Sequence, residues 1–164
     1  MRDVTLNVNG RQEKSRVKDN EVLLDLLRDK LEVKSVKAGC WRGECGLCTV
    51  VLNGSLVKSC LVLAVEAKDG MVTTVEGISG AGELAPIQKE FIEHGASQCG
   101  FCTPAFVLTI HELMKRNPNP SGSELEEAVK GLICRCGTYN EIREAVASAS
   151  KAYTNASSTS KNLV

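Results

Sequence analysis

Residues 39–48 read Gly-Cys-Trp-Arg-Gly-Glu-Cys-Gly-Leu-Cys, and a further thiol, Cys60, follows after eleven intervening residues. Cys40, Cys45 and Cys48 stand at Cys-x4-Cys-x2-Cys spacing, interleaved with Gly39, Gly43 and Gly46. Glycine tolerates positive φ and close backbone approach, so this stretch can curl around a compact centre and turn its amide N–H groups toward sulfur. Thiols in this order are hard to reach by chance, and they point to metal ligation.

The four-thiol order is that of a plant-type [2Fe-2S] ferredoxin centre, and the flanking sequence supports a small sheet around it. Val4 to Val8 alternate as a strand does, Asn9-Gly10 is a two-residue hairpin signal, and Arg11 to Val17 return as a second strand. Val22, Leu23, Leu26, Leu27 and Leu31 recur at helical spacing and predict a helix from Val22 to Leu31 over one face of the sheet. Thr49 to Leu52 and Leu56-Val57 flank another Asn-Gly pair, Asn53-Gly54, with Cys60 just beyond. A short helix from Leu61 to Val65 and a strand from Met71 to Val75 complete a mixed sheet with one crossing helix, a β-grasp arrangement.

Gly77, Ser79, Gly80 and Gly82 mark a linker, after which the patterns are helical. Leu84 to His94 carries Leu84, Ile87, Phe91 and Ile92 on one side; Pro104 to Met114 carries Phe106, Val107, Ile110, Leu113 and Met114, and Asn117-Pro118-Asn119-Pro120 stops it. Ser123-Glu124-Leu125-Glu126 has capping-box form and starts a helix through Val129. A last helix is expected from about Glu141 to Ala152. The fold class is therefore α+β: a ferredoxin-like domain over residues 1–78, a four-helix bundle over 79–153, and a polar, disordered tail over 154–164.

The other four cysteines lie in the helical half, as Cys99-Gly100-Phe101-Cys102 and Cys134-Arg135-Cys136, each pair just before a helix. Helix N-termini favour anions and depress thiol pKa, so two such starts facing each other can supply four thiolates to one anionic site. On spacing alone a structural zinc site competes, since zinc also takes four thiolates. Disulfides fit less well, because the start Met1-Arg2-Asp3-Val4 lacks the apolar core of an export signal and reducing compartments keep thiols free.

The chain has 164 residues, 43% of them hydrophobic and only 4% aromatic, so its core comes mainly from Leu, Val, Ile and Ala. Lys plus Arg and Asp plus Glu both number 20, which leaves no net charge and no basic stripe for nucleic acid. Apolar runs such as Leu61–Val65 fall far short of the roughly 18 residues a membrane helix needs, and the expected location is cytoplasmic.

The combination of Cys40, Cys45, Cys48 and Cys60 with Gln98-Cys99-Gly100-Phe101-Cys102-Thr103-Pro104 and Cys134-Arg135-Cys136 resembles the small iron–sulfur subunit of molybdenum hydroxylases, the xanthine dehydrogenase and aldehyde oxidoreductase family. The resemblance covers about residues 2 to 152. It implies two [2Fe-2S] clusters, with Cys99, Cys102, Cys134 and Cys136 holding the one nearer molybdenum and Cys40, Cys45, Cys48 and Cys60 the one nearer a flavin. It also implies that Gln98 and the backbone at Cys136 contact the pterin. The expected partners are a large molybdenum–pterin subunit and an FAD-binding medium subunit, in a dimer of heterotrimers. Within it this chain is the iron–sulfur subunit of an oxidoreductase and has no catalytic centre of its own. The expected substrate is a purine or other N-heterocycle, with aldehydes, carbon monoxide and aromatic acyl-CoA as alternatives. Two departures stand out: Ala105 follows Thr-Pro where the family usually has Gly, and Cys136-Gly137-Thr138-Tyr139 replaces Cys-Thr-Gly-Tyr, which opens the question of the pterin contact there.

Among single residues, Trp41 reads as a partner contact or a shield over the centre, and Arg42 and Arg135 as solvated or paired charges. His94 and His111 read as helix residues, Phe91, Phe106 and Met114 as core, and Glu44 as a local surface residue. No nucleophile–base pair or phosphate loop is present. The readings that compete with an electron-transfer subunit are a free-standing ferredoxin-like carrier or redox sensor, and a zinc-stabilised interaction module. The cysteine loop of residues 39–48, rich in glycine, is expected to be the more exposed centre and the first to lose iron in air.

Overall fold

Alternation along the first strand sorts its side chains: Val4, Leu6 and Val8 are buried while the residues between them stay partly or fully exposed. The computed structural model describes residues 1–80 and 82–160, the last six of these by backbone alone. Strand β1 (Arg2–Val8) turns through Asn9 and Gly10, both at positive φ (51° and 84°), into antiparallel β2 (Arg11–Val17). Strands β3 (Thr49–Leu52) and β4 (Ser55–Lys58) repeat the device at Asn53 and Gly54. Such turns match the right-handed twist of the strands they join.

Strand β5 (Met71–Thr73) lies between the hairpins, parallel to β1 and antiparallel to β3, giving the order β2-β1-β5-β3-β4. Leu23, Leu24, Leu26 and Leu27 close the face of this sheet with Val4, Leu6, Val8, Val17, Val50 and Val72. This is the mixed sheet with one crossing helix that the pattern predicts.

Local differences have identifiable causes. The crossing helix is α-helical only over α1 (Leu23–Asp25) and continues as a wider π-helical turn, Leu26–Lys30. The helix predicted over Leu61–Val65 does not form. A 3-10 turn, Ser59–Leu61, is followed by extended backbone in which Leu63 bridges Val22, with Leu23 N–H donating to Val62 O and Ala64 N–H to Glu21 O. Pairing with the strand-like entry to α1 uses the backbone groups that a helix there needs. The strand expected to reach Val75 stops at Thr73 and gives way to a 3-10 turn over Val75–Ile78.

A separate core gathers Ile87, Phe91, Phe106, Val107, Ile110, Met114, Leu125, Ile142 and Val146 from α2 (Pro86–Glu93), α3 (Thr103–Arg116), α4 (Gly122–Val129) and α5 (Tyr139–Ser160). Phe91, Phe106 and Met114 are core residues as predicted. Ile92 and Leu84 are not: Ile92 stands 67% exposed because α2 turns only its Ile87–Phe91 stripe inward, and Leu84, 43% exposed, lies before the helix begins at Pro86.

Helix α5 takes in the beginning of the stretch expected as a disordered tail. Tyr153 is buried against the bundle, and the Ser150 and Thr154 hydroxyls donate to the Val146 and Ser150 carbonyls, so these two polar side chains are accommodated within the helix. Residues 161–164 lie outside the described residues.

The predicted cap of α4 also moves. Ser121, two residues before Ser123, is the N-cap: its Oγ accepts from Glu124 N–H at 3.3 Å, and Glu124 Oε2 accepts from Ser121 N–H at 2.8 Å. Donation to the Glu124 carboxylate from the Ser121 N–H, the Ser121 hydroxyl and the Asn117 side chain holds it below its ordinary pKa. Ser121→Ala is expected to cost about 1 kcal/mol in a denaturant titration. Ser123→Ala should stay within about 0.5 kcal/mol, as an exposed substitution does; the reverse ranking would return the cap to Ser123.

Candidate metal centres

The cysteine loop between α1 and β3 is shaped by its glycines and by one sulfur. The N–H groups of Arg42, Glu44 and Cys45 all point at Cys40 Sγ, at 3.4, 3.3 and 3.3 Å. Donation from Cys45 and Arg42 brings the Cys40 thiol down to about 6. Gly39 has no room for a side chain, since a Cβ there stands 2.8 Å from Cys45 Sγ. Gly43, at φ +76°, faces Leu61 just as closely, at 2.4 Å.

The fourth thiol arrives through the β3–β4 hairpin. Thr49 pairs with Lys58, which places Cys48 beside Ser59, and both the amide and the hydroxyl of buried Ser59 donate to Cys48 O, at 3.2 and 2.7 Å. Cys60 follows directly. Burial pushes its thiol up to about 11, with the Cys48 thiol alongside adding to the rise and the Gly43 N–H opposing it. Cys40 thus stands beside Cys45, and Cys48 beside Cys60.

In the helical half Cys102 is the N-cap of α3, while Cys134 and Cys136 precede α5. Cys134 N–H donates to the Tyr139 hydroxyl at 2.8 Å, and Cys134 Sγ lies 3.3 Å from Thr138 Oγ1. Burial opposes ionisation of Cys134, but the Thr138 hydroxyl and the Thr138 and Gly137 amides at the start of α5 bring its thiol down to about 7. Burial drives Cys102 the other way, up to about 12 with Cys134 beside it, while Cys99 is lowered by the Phe101 N–H and by its neighbour Cys136. The Gly-Thr order at 137–138 now has a local reason. Gly137 takes φ +82°, and the residue after it is the one whose hydroxyl meets Cys134 Sγ.

Eight thiols thus meet two by two in two groups of four. A dinuclear centre needs the pairwise arrangement, with two thiolates on each iron. Backbone N–H groups aimed at sulfur and glycine cradles fit such a centre and not merely a disulfide. His94 and His111 stand apart from both groups. His94 caps the end of α2 near Glu90, and His111 Nδ1 is hydrogen-bonded to the Tyr153 hydroxyl at 2.6 Å.

The two groups touch across the domains. Ile133 N–H donates to Cys45 O at 3.0 Å, and a Cβ on Gly46 stands 2.1 Å from Gly131 O. Leu47, Val75 and Ile78 pack on the helical core from the sheet side. Sequence reasoning gave no role to Ser59, Lys58 and Ile133, which act through backbone partners, and it noted Thr138 and Tyr139 only as members of the reordered turn, without their contacts to the Cys134 sulfur and amide. No spacing rule announces such partners.

The expectation on exposure is reversed for the outer pair of each group. Cys102 and Cys134 are buried, as Cys48 and Cys60 are, but Cys99 and Cys136 are exposed in this chain where Cys40 and Cys45 are half-buried. The β3–β4 hairpin and the helical domain cover the ferredoxin-type loop from two sides, while Cys99 and Cys136 sit on an outer rim. Gln98 is exposed beside Cys99, Arg135 is exposed, Trp41 is 51% exposed, and Arg42 pairs with Glu44 at 3.1 Å on the surface. Tyr139→Phe removes the acceptor of the Cys134 amide; a loss of about 1 kcal/mol is expected, with Cys134 Sγ and its Thr138 contact unaltered, and chemical denaturation of the wild type and variant measures it.

Residues 6–73 match the family model of a 2Fe-2S iron–sulfur cluster binding domain, and residues 74–147 match that of a [2Fe-2S] binding domain. The nicotinate dehydrogenase small FeS subunit of Eubacterium barkeri is 43% identical, over 87% of this chain and 91% of its own length. The quinoline 2-oxidoreductase structure from Pseudomonas putida 86 contains a chain that superposes with a TM-score of 0.89 at 35% identity, covering 94% of this chain and 96% of that one. The aldehyde oxidoreductase of Desulfovibrio desulfuricans ATCC 27774 also superposes with a TM-score of 0.89, at 39% identity; the match covers 94% of this chain but 17% of that longer one.

Proposed function

Since the chain belongs to the family of small [2Fe-2S] subunits of molybdenum hydroxylases, we propose that it is the electron-transfer subunit of an enzyme that hydroxylates a nitrogen heterocycle. The observation that carries this reading is the contact of the two four-thiol groups through the Ile133–Cys45 hydrogen bond. Two [2Fe-2S] clusters supply one-electron carriers. The residues of this chain hold them, aim amide dipoles at the sulfurs and keep the two loops in register.

Cys40, Cys45, Cys48 and Cys60 form one ligand set, and Cys99, Cys102, Cys134 and Cys136 the other, in units spanning 1–78 and 79–153. The exposed rim at Cys99 and Cys136, with Gln98, Phe101 and Ile133 beside it, is the face that meets the molybdenum–pterin subunit. The Trp41–Leu61 face beside the other loop meets an FAD-binding subunit. The assembly is a dimer of heterotrimers in the cytoplasm; no helix of the described residues is long and apolar enough to cross a membrane. A heterocyclic substrate is supported by the nicotinate and quinoline enzymes among the relatives, and the aldehyde oxidoreductase supplies the second reading.

The test is isolation of the native complex. About four irons and four acid-labile sulfides per chain, two rhombic EPR signals after dithionite, and a copurifying pterin-binding chain are expected. Oxidation of nicotinate or quinoline, but not of simple aldehydes, supports the substrate proposal. About two irons with bound zinc, or a monomer without partners, rejects the subunit reading.

A further inference from the structure

Lys58 lies at the end of β4, and its ammonium reaches back over the cysteine loop to donate a hydrogen bond to Gly43 O. That carbonyl and the Glu44 N–H belong to one peptide unit, and the Glu44 N–H points at Cys40 Sγ at 3.3 Å. One planar, conjugated amide thus has a positive charge on its oxygen and a ligand sulfur on its hydrogen. Nζ also lies 3.6 Å from the place of a Cβ on Gly131, in the loop that leads to Cys134. Among the described residues no Asp or Glu forms an ion pair with it, whereas the neighbouring Arg42 is spent on Glu44. The charge therefore faces the junction of the two thiol groups without a counter-ion.

We propose that Lys58 sets the reduction potential of the centre on Cys40, Cys45, Cys48 and Cys60 through the Gly43–Glu44 peptide. An ammonium on the carbonyl polarises the amide and strengthens its N–H bond to sulfur, since hydrogen bonds in a chain reinforce one another. Reduction adds one electron and one negative charge to the centre, so a nearby cation and a stronger N–H···S bond both favour the reduced state. Within the electron-transfer reading, on which this proposal rests, Lys58 makes the centre away from molybdenum the better acceptor and directs electrons outward. Lys58 is a positioning and tuning residue; it does not ligate iron.

The experiment is an EPR-monitored redox titration of the native complex carrying wild-type chain, Lys58→Met, Lys58→Gln or Lys58→Arg. Lys58→Met is expected to lower the reduced-to-oxidised ratio of the ferredoxin-type centre, at fixed potential, by about three- to tenfold, the size of one charge acting over several ångströms. Tenfold corresponds to about 59 mV for one electron. The other signal should shift less, and Lys58→Arg should stay within about twofold of wild type. Lys58→Gln, which keeps a donor but no charge, should fall with Lys58→Met, and it decides the matter if Lys58→Met loses iron. Unchanged titrations in Lys58→Met or Lys58→Gln with all iron present, or an Arg variant displaced as far as the neutral ones, overturn the proposal. A wild-type complex lacking two signals overturns the family-based reading instead, so the two failures are told apart.

Discussion

Cys45→Ser removes one of the two paramagnetic signals of the reduced complex and leaves the other close to full intensity, with iron falling from about four to about two per chain. The two thiol groups sit in separate cores, one among Val4, Leu23, Val50 and Cys60, the other among Phe91, Phe106, Cys102 and Cys134. A ligand lost from one leaves the second group's donors, turns and helix starts in place. Cys102→Ser gives the converse result. Serine is close to isosteric but binds iron poorly because its hydroxyl does not ionise as a thiol does. Iron analysis and EPR on the same sample read the outcome. If either substitution erases both signals in a folded protein, the ligand sets cross between domains and their assignment is wrong.

Gly46→Ala is expected to separate the two centres without emptying them. Gly46 sits at φ +71°, and a Cβ there falls 2.1 Å from Gly131 O and 2.5 Å from Leu132 Cδ2. Backbone cannot yield as the tip of a side chain can, so one loop must retreat, and the Ile133–Cys45 hydrogen bond lies in the same contact. The left-handed backbone costs about 1–2 kcal/mol for alanine, and overpacking adds about 1–3 kcal/mol. A loss of about 2–5 kcal/mol is therefore expected by thermal or chemical denaturation. Gly10→Ala supplies the control. Its φ is +84°, but nothing lies within 4 Å of the added carbon, so only the backbone cost of about 1–2 kcal/mol applies. In the loaded complex, Gly46→Ala should retain its iron, weaken the spin coupling between the signals and slow reoxidation of the molybdenum-side centre. Equal effects of the two glycine substitutions would mean that the loop contact contributes nothing.

Much of this was legible in the chain. Alternation in β1 and β2, the Asn9-Gly10 and Asn53-Gly54 pairs and the helical spacing of α2 and α3 are local patterns, and local sterics produced the elements they announce. The misplaced elements share another cause. Leu61–Val65 has helical composition, but its amides and carbonyls are claimed by the chain around Val22, a partner far away in sequence. Ile92 fits a helical stripe, yet only packing decides how wide the buried stripe of α2 is. Ser121 and Ser123 are both competent caps, and the one whose hydroxyl meets the third amide took the role.

The candidate centres divide along the same line. Thiol spacing, glycine placement and helix starts are properties of neighbouring residues, so the eight cysteines and their two groups could be read from the chain alone. Which thiols stand in pairs, that Cys45 O meets Ile133 N–H, that Gly46 faces Gly131 O and that Lys58 leans on the Gly43 peptide all depend on docking one core against the other. Pairwise contact falls off within a few ångströms, and no periodicity in the chain encodes the distance between segments that only tertiary packing brings together.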